Sequence, residues 1–176
     1  MKKTAFLIGL TMLLTGCMAS NTDIKTDTLA VTVDAAGQKA PGMINADLPV
    51  RKLVITSGND RREFEVEFAT TDQQRKVGLM NRKSLDENKG MLFAFGSKGY
   101  INFWMKNTLI PLDIVFMDEK GFIKYIARNA QPCKAIRDSD CPLYNSQFPV
   151  QFVLEIKGGR ADQLGIKEGD RATWLD

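Results

Sequence analysis

Apolar and polar residues alternate along this chain in three distinct rhythms, and each change of rhythm marks a boundary. Behind Lys2 and Lys3, an almost unbroken apolar run extends from Ala5 to Leu14. It falls well short of the ~20 apolar residues a membrane span needs. From Met18 to about Leu48 the residues are mostly Ser, Thr, Asn, Asp, Ala and Gly, relieved only by Leu29-Ala30-Val31-Thr32-Val33. That composition predicts a flexible tether with a reach on the order of 30 Å. Past Pro49 the pattern becomes that of a folded head, residues 49–176. Phe64, Val66 and Phe68 alternate with Glu63, Glu65 and Glu67, the period of two expected of a strand with one buried and one wet face. Thr70-Thr71-Asp72 supplies helix caps, and a helix is predicted over Asp72 to Met80, ending before the polar Asn81-Arg82-Lys83.

Short apolar runs separated by turn residues follow: Met91 to Phe95, Tyr100 to Met105, Leu112 to Met117, Phe122 to Ala127 and Val150 to Ile156. Asp118-Glu119-Lys120-Gly121 joins two of them as a hairpin turn. Ala161 to Leu164 suits a helical turn, and Ala172-Thr173-Trp174 a last strand. Many short strands and few helices define a mainly β (α+β) fold, a compact antiparallel barrel or curled sheet with one or two short helices.

The first boundary carries a second signal. Leu14-Thr15-Gly16-Cys17 follows the basic and apolar segments, so residues 1–16 read as an export signal. The tetrapeptide resembles the bacterial lipobox, which implies cleavage before Cys17 and acylation of its thiol and new amine. Residues 17–48 then become a lipidated cysteine and its tether, and membrane attachment is through lipid. Met18 after the cysteine, in place of Asp, points by the same resemblance to the outer membrane, facing the periplasm.

Charge and cysteine content narrow the function. The 24 Lys and Arg nearly balance the 21 Asp and Glu, and loss of residues 1–16 removes only Lys2 and Lys3. A nucleic-acid partner is excluded by the lack of a basic excess. The chain has no histidine, which excludes imidazole-based catalysis and leaves no metal site or cofactor in view. Cys133 and Cys141 bracket a polar stretch between Pro132 and Pro142, and in an oxidising compartment this spacing predicts a disulfide. A redox pair or metal clip is the weaker alternative, because the spacing is not Cys-x-x-Cys.

The segment from Phe103 to Asp118 is the least generic. Asp113 lies in an apolar strand, on the same face as Val115 and Met117, so its carboxylate needs a cation, hydrogen-bond donors or a cleft. Lys106 and Asn107 on the preceding turn, and Arg82, are the nearest partners, with Thr108 and Pro111 shaping the turn. A structural ion pair between Asp113 and Lys106, a ligand site and a catalytic pair are all compatible with this pattern. Glu155, after Val153-Leu154, poses the same question.

Gly78-Leu79-Met80-Asn81-Arg82, Gly90-Met91-Leu92-Phe93-Ala94-Phe95, Phe103 to Thr108 with Ile110-Pro111-Leu112-Asp113, Val153-Leu154-Glu155 and Gly165 to Asp170 occur in order. Together they resemble the bacterial and archaeal family called domain of unknown function 192, over about Leu53 to Leu175. The resemblance implies a small, mostly β, often exported domain and brings no reaction with it. Three functions follow as expectations. The first is a binding module for a small polar ligand, a glycan or an envelope protein, at a cleft of Arg82, Lys106, Asn107 and Asp113. The second is a hydrolase or lyase using Asp113 and Glu155 as a carboxylate pair on envelope saccharides. The third is an assembly or scaffold factor.

Overall fold

The turns between the strands of the head dictate how they pair. The computed structural model describes residues 47–174, all within one compact unit, Val33–Asp176. The expected export segment, Cys17 and nearly all of the expected tether lie outside the described residues. β1 (Val50–Ser57) and β2 (Asp60–Ala69) form an antiparallel hairpin. β1 escaped the sequence reading because its apolar core, Leu53-Val54-Ile55, is too short to show a period.

Helix α1 (Asp72–Val77) starts as expected, with Thr71 and Gln74 forming a capping box. It ends earlier than Met80. Gly78 stops it with φ 47° and ψ −133°, a conformation that favours glycine, and Asn81 also has positive φ. Residues 78–82 thereby leave the helix and fold back over the sheet. This α1 crossover makes β2 and β3 (Lys89–Gly99) parallel, while every other strand pair is antiparallel.

β4 (Asn102–Trp104) leaves the main sheet and pairs with β7 (Leu143–Asn145) in a small ribbon. β5 (Leu112–Met117) and β6 (Ile123–Ala130) form the expected hairpin, whose turn is held by Asp118 Oδ1 accepting from the Lys120 and Phe122 amides. β8 (Val150–Lys157), α2 (Arg160–Gln163) and β9 (Arg171–Trp174) complete the head. The main sheet has seven strands in the order β6-β5-β8-β3-β2-β1-β9. Its two edges meet where Ile123 N–H donates to Asp170 O at 2.8 Å and Ala172 N–H to Gly121 O at 2.8 Å. The result is a curled, half-barrel sheet, the mainly β fold read from the sequence.

The curl encloses one core and leaves a second outside. Inside lie Leu53, Phe64, Val66, Phe68, Leu92, Val115, Leu154, Ile156 and residues of α2 and β9. Outside, Met91, Phe93, Ile114, Phe116 and Val153 are covered by Leu79, Leu85 and Met105 from the loops. β5 is therefore buried on both faces. The apolar run read from Leu112 to Met117 fits this double burial, since the loop after α1 and the β4–β7 ribbon cover the outer face.

Candidate functional site

The strand pleat decides which polar side chains meet. In the β5–β8 pair, Asp113 stands opposite Ile156, and Ile114 opposite Glu155. Directly opposed residues share a face and adjacent ones alternate. Asp113 therefore points into the inner core and Glu155 to the outer face. A carboxylate pair for sugar hydrolysis needs both groups around one bond, so the expectation that Asp113 and Glu155 act together is overturned.

The expected pairing of Asp113 with Lys106 fails as well. Asp113 is fully buried, and its carboxylate accepts from the amides of Asn129 at 2.7 Å, Gly159 at 3.0 Å and Ala161 at 2.7 Å. It ties β6 to the start of α2 and has no need of a cation. Lys106 instead forms its ion pair with Asp138, inside the loop closed by Cys133 and Cys141. That disulfide is formed, with Cα atoms 5.6 Å apart. The loop is pinned beside Lys106 by Cys133 N–H donating to Met105 O at 3.0 Å. Asp113 thus leaves the expected cleft of Arg82, Lys106, Asn107 and Asp113, and of the four only Lys106 lines the cavity that Glu155 borders, while Arg82 and Asn107 border other clefts.

A row of outer-face positions crosses the sheet at this level. Glu67 on β2 pairs with Met91 on β3, and Met91 with Glu155 on β8. Two strand spacings separate the carboxylate-bearing backbones, about 10 Å. Arg82, delivered by the loop after α1, reaches into this row. Its guanidinium grips Glu67 with two bonds of 2.5 and 2.6 Å and acts electrostatically on Glu155. Asn107, at φ 55°, accepts from Asn81 N–H on its backbone oxygen at 2.8 Å, so the two motif loops are laced together above Glu155.

Between those loops lies a cavity of about 40 Å³, lined among others by Gly78, Phe93, Phe103, Trp104, Lys106 and Glu155. Phe103 is half-buried against the outer core, edge-on to Phe93 at 4.9 Å between ring centroids. Lys106 Nζ lies 5.6 Å from the centre of the Trp104 ring. Glu155 is 4% exposed, and its carboxyl accepts no hydrogen bond among the described residues. Burial pushes it up to about 8, against a smaller opposing pull from Arg82. On the far side of Arg82, an open cleft of about 530 Å³ is bordered by Leu48, Glu67, Arg82 and Lys83. Among the described residues no group of three or more Cys, Asp or Glu is placed to hold a metal ion. Glu67 was missed in the sequence because its alternation with Val66 and Phe68 reads as solvent-facing. Only the covering loop makes it part of the site.

A curled β half-barrel with a buried carboxyl, Glu155, on a cavity wall beneath the loops after α1 and β4 defines the class of domain. The chain belongs to the DUF192 family, described as "Uncharacterized ACR", whose model matches residues 53–174. No curated protein matches it. Among solved structures it is similar to a putative transcription regulator from Sinorhizobium meliloti, with 32% identity, a TM-score of 0.68, and coverage of 74% of this chain and 97% of that one. It is also similar to a protein of unknown function from Novosphingobium aromaticivorans, with 34% identity, a TM-score of 0.67, and coverage of 81% and 99%.

Proposed function

We propose that this DUF192 protein is a lipid-anchored envelope protein whose head is a binding module for a small polar ligand. The observation that carries the binding reading is Glu155, a carboxyl almost wholly buried on a cavity wall with no hydrogen-bond donor of its own among the described residues. Burying such a group costs several kcal/mol unless something satisfies it, and a ligand that donates to it recovers that cost. Three of the motifs that carry the family resemblance contribute to the cavity wall, through Gly78 to Met80, through Phe103, Trp104, Lys106 and Thr108, and through Glu155.

The test is a screen of small polar compounds followed through the amide resonances of Gly78, Thr108 and Glu155. Binders are expected to shift these amides and to lose their effect in Glu155→Leu. Binding that survives Glu155→Leu places the ligand elsewhere and ends this reading. The anchor rests on Leu14-Thr15-Gly16-Cys17 behind a short export segment, with Met18 favouring the outer membrane and the periplasm. Intact-mass analysis is expected to find Cys17 at the mature N-terminus carrying acyl chains. A mature form cut at another residue refutes it.

A further inference from the structure

Among the described residues Glu155 forms no ion pair when it is ionised. Glu67, Arg82 and Glu155 form a string of two carboxyls and one guanidinium, and the guanidinium is already committed to Glu67 through two hydrogen bonds. The other cations near the cavity are Lys106, from the turn after β4, and Arg75 and Lys76, from α1. Lys106 is paired with Asp138 and Arg75 with Asp72. Lys76 is exposed, where solvent and salt screen it. Of these four carboxyls Glu155 alone lacks a paired cation, and in the unliganded protein a proton on it removes that uncompensated charge. A cationic ligand would remove it instead.

The cavity walls fit that role. Phe93, Phe103 and Trp104 line it, aromatic rings attract cations, and the Trp104 ring already holds the Lys106 ammonium at 5.6 Å. The volume of about 40 Å³ accommodates about three water molecules, enough for an ammonium and the carbon that carries it. Resting on the reading of this cavity as a binding site, we propose that it takes a primary ammonium group, with Glu155 as counter-ion and the aromatic wall as collar. Binding then exchanges a proton for an ammonium at the Glu155 carboxyl.

The experiment titrates the purified protein with methylammonium chloride, and separately with potassium acetate and acetamide, at constant ionic strength. The readout is again the amide resonances of Gly78, Thr108 and Glu155. Methylammonium is expected to bind, with its apparent Kd falling about tenfold per pH unit from pH 6 until Glu155 is ionised near pH 8, then levelling off. In Glu155→Gln, which keeps shape and neutrality, affinity is expected to drop at least tenfold and the pH dependence to vanish. Binding of acetate or acetamide without methylammonium overturns the ammonium assignment while leaving a polar binding site. Methylammonium affinity independent of pH overturns the role of Glu155. Silence from all three probes overturns the ammonium assignment and the binding reading together.

Discussion

Asp113 and Glu155 sit on adjacent strands, one register step apart, and both are buried, yet they have opposite surroundings. Asp113 enters the inner core and meets three backbone amides, two of them at the start of α2. Glu155 enters the outer core and meets aromatic rings, a cavity and the distant charge of Arg82. Burial alone does not fix how a carboxyl is held. The supply of donors does: Asp113 is satisfied by its own chain, whereas Glu155 accepts no hydrogen bond among the described residues.

The sharpest way to break this comparison is Asp113→Asn. It removes the charge and turns an amide NH2 or a weaker acceptor toward three N–H donors. A loss of roughly 3 to 5 kcal/mol is expected in urea unfolding. A loss below 1 kcal/mol removes the structural role assigned to Asp113. Next in size is Cys133→Ser with Cys141→Ser. Releasing that loop is expected to cost roughly 2.5 kcal/mol on the loop-entropy model, read as a fall in Tm matched by adding reductant to the unaltered protein. Equal melts with and without reductant argue against the bridge.

Glu155→Gln probes the other carboxylate, and its effect is expected to be opposite in sign and dependent on pH. The folded-state value is raised to about 8 from 4.5. The folded protein therefore holds an extra proton between those limits, and stability falls as pH rises through this window. The contribution of the protonated form is fully present below 4.5 and lost above 8. Gln stays neutral throughout, so the variant is expected to match the unaltered protein near pH 5 and to exceed it by a few kcal/mol near pH 8. Parallel pH profiles for the two proteins contradict the raised value. The smallest expected effect is the coupling between Lys106→Met and Asp113→Asn in a double-mutant cycle. Lys106 pairs with the half-exposed Asp138, so its own loss is about 1 kcal/mol or less. Its coupling to Asp113 is expected within about 0.5 kcal/mol of zero. A larger coupling restores the ion pair that the fold denies.

Much of this architecture was legible because strands and caps are local. The alternation around Phe64, the Thr71 cap, the Asp118 turn and the apolar run of β5 each dictate their own conformation. Asp113 and Glu155 were both recognised as anomalous, since a carboxyl inside an apolar run is visible in one dimension. Their assignment was not. Parity within β5 predicts that Asp113 shares a face with Val115, but only the register against β8 shows that Glu155 faces the other way. The same gap hid Glu67, whose outer face becomes interior only once the loop from Gly78 to Leu85 lies over it. Lys106 found Asp138 rather than Asp113 because a disulfide 27 residues downstream brings that loop alongside. Turn residues nearby in sequence carried no hint of it.

The meeting of β6 and β9 has a consequence for a protein tethered as proposed. A lipid anchor confines its copies to two dimensions, where neighbours collide far more often than in free solution. Open strand edges would then offer rows of unpaired donors and acceptors from which copies could grow into ribbons. Here the mouth of the curl is fastened by Gly121, Ile123, Asp170 and Ala172 bonding across it. The backbone groups at that seam already have partners within the chain, so crowding at the membrane gains no template there for polymerisation.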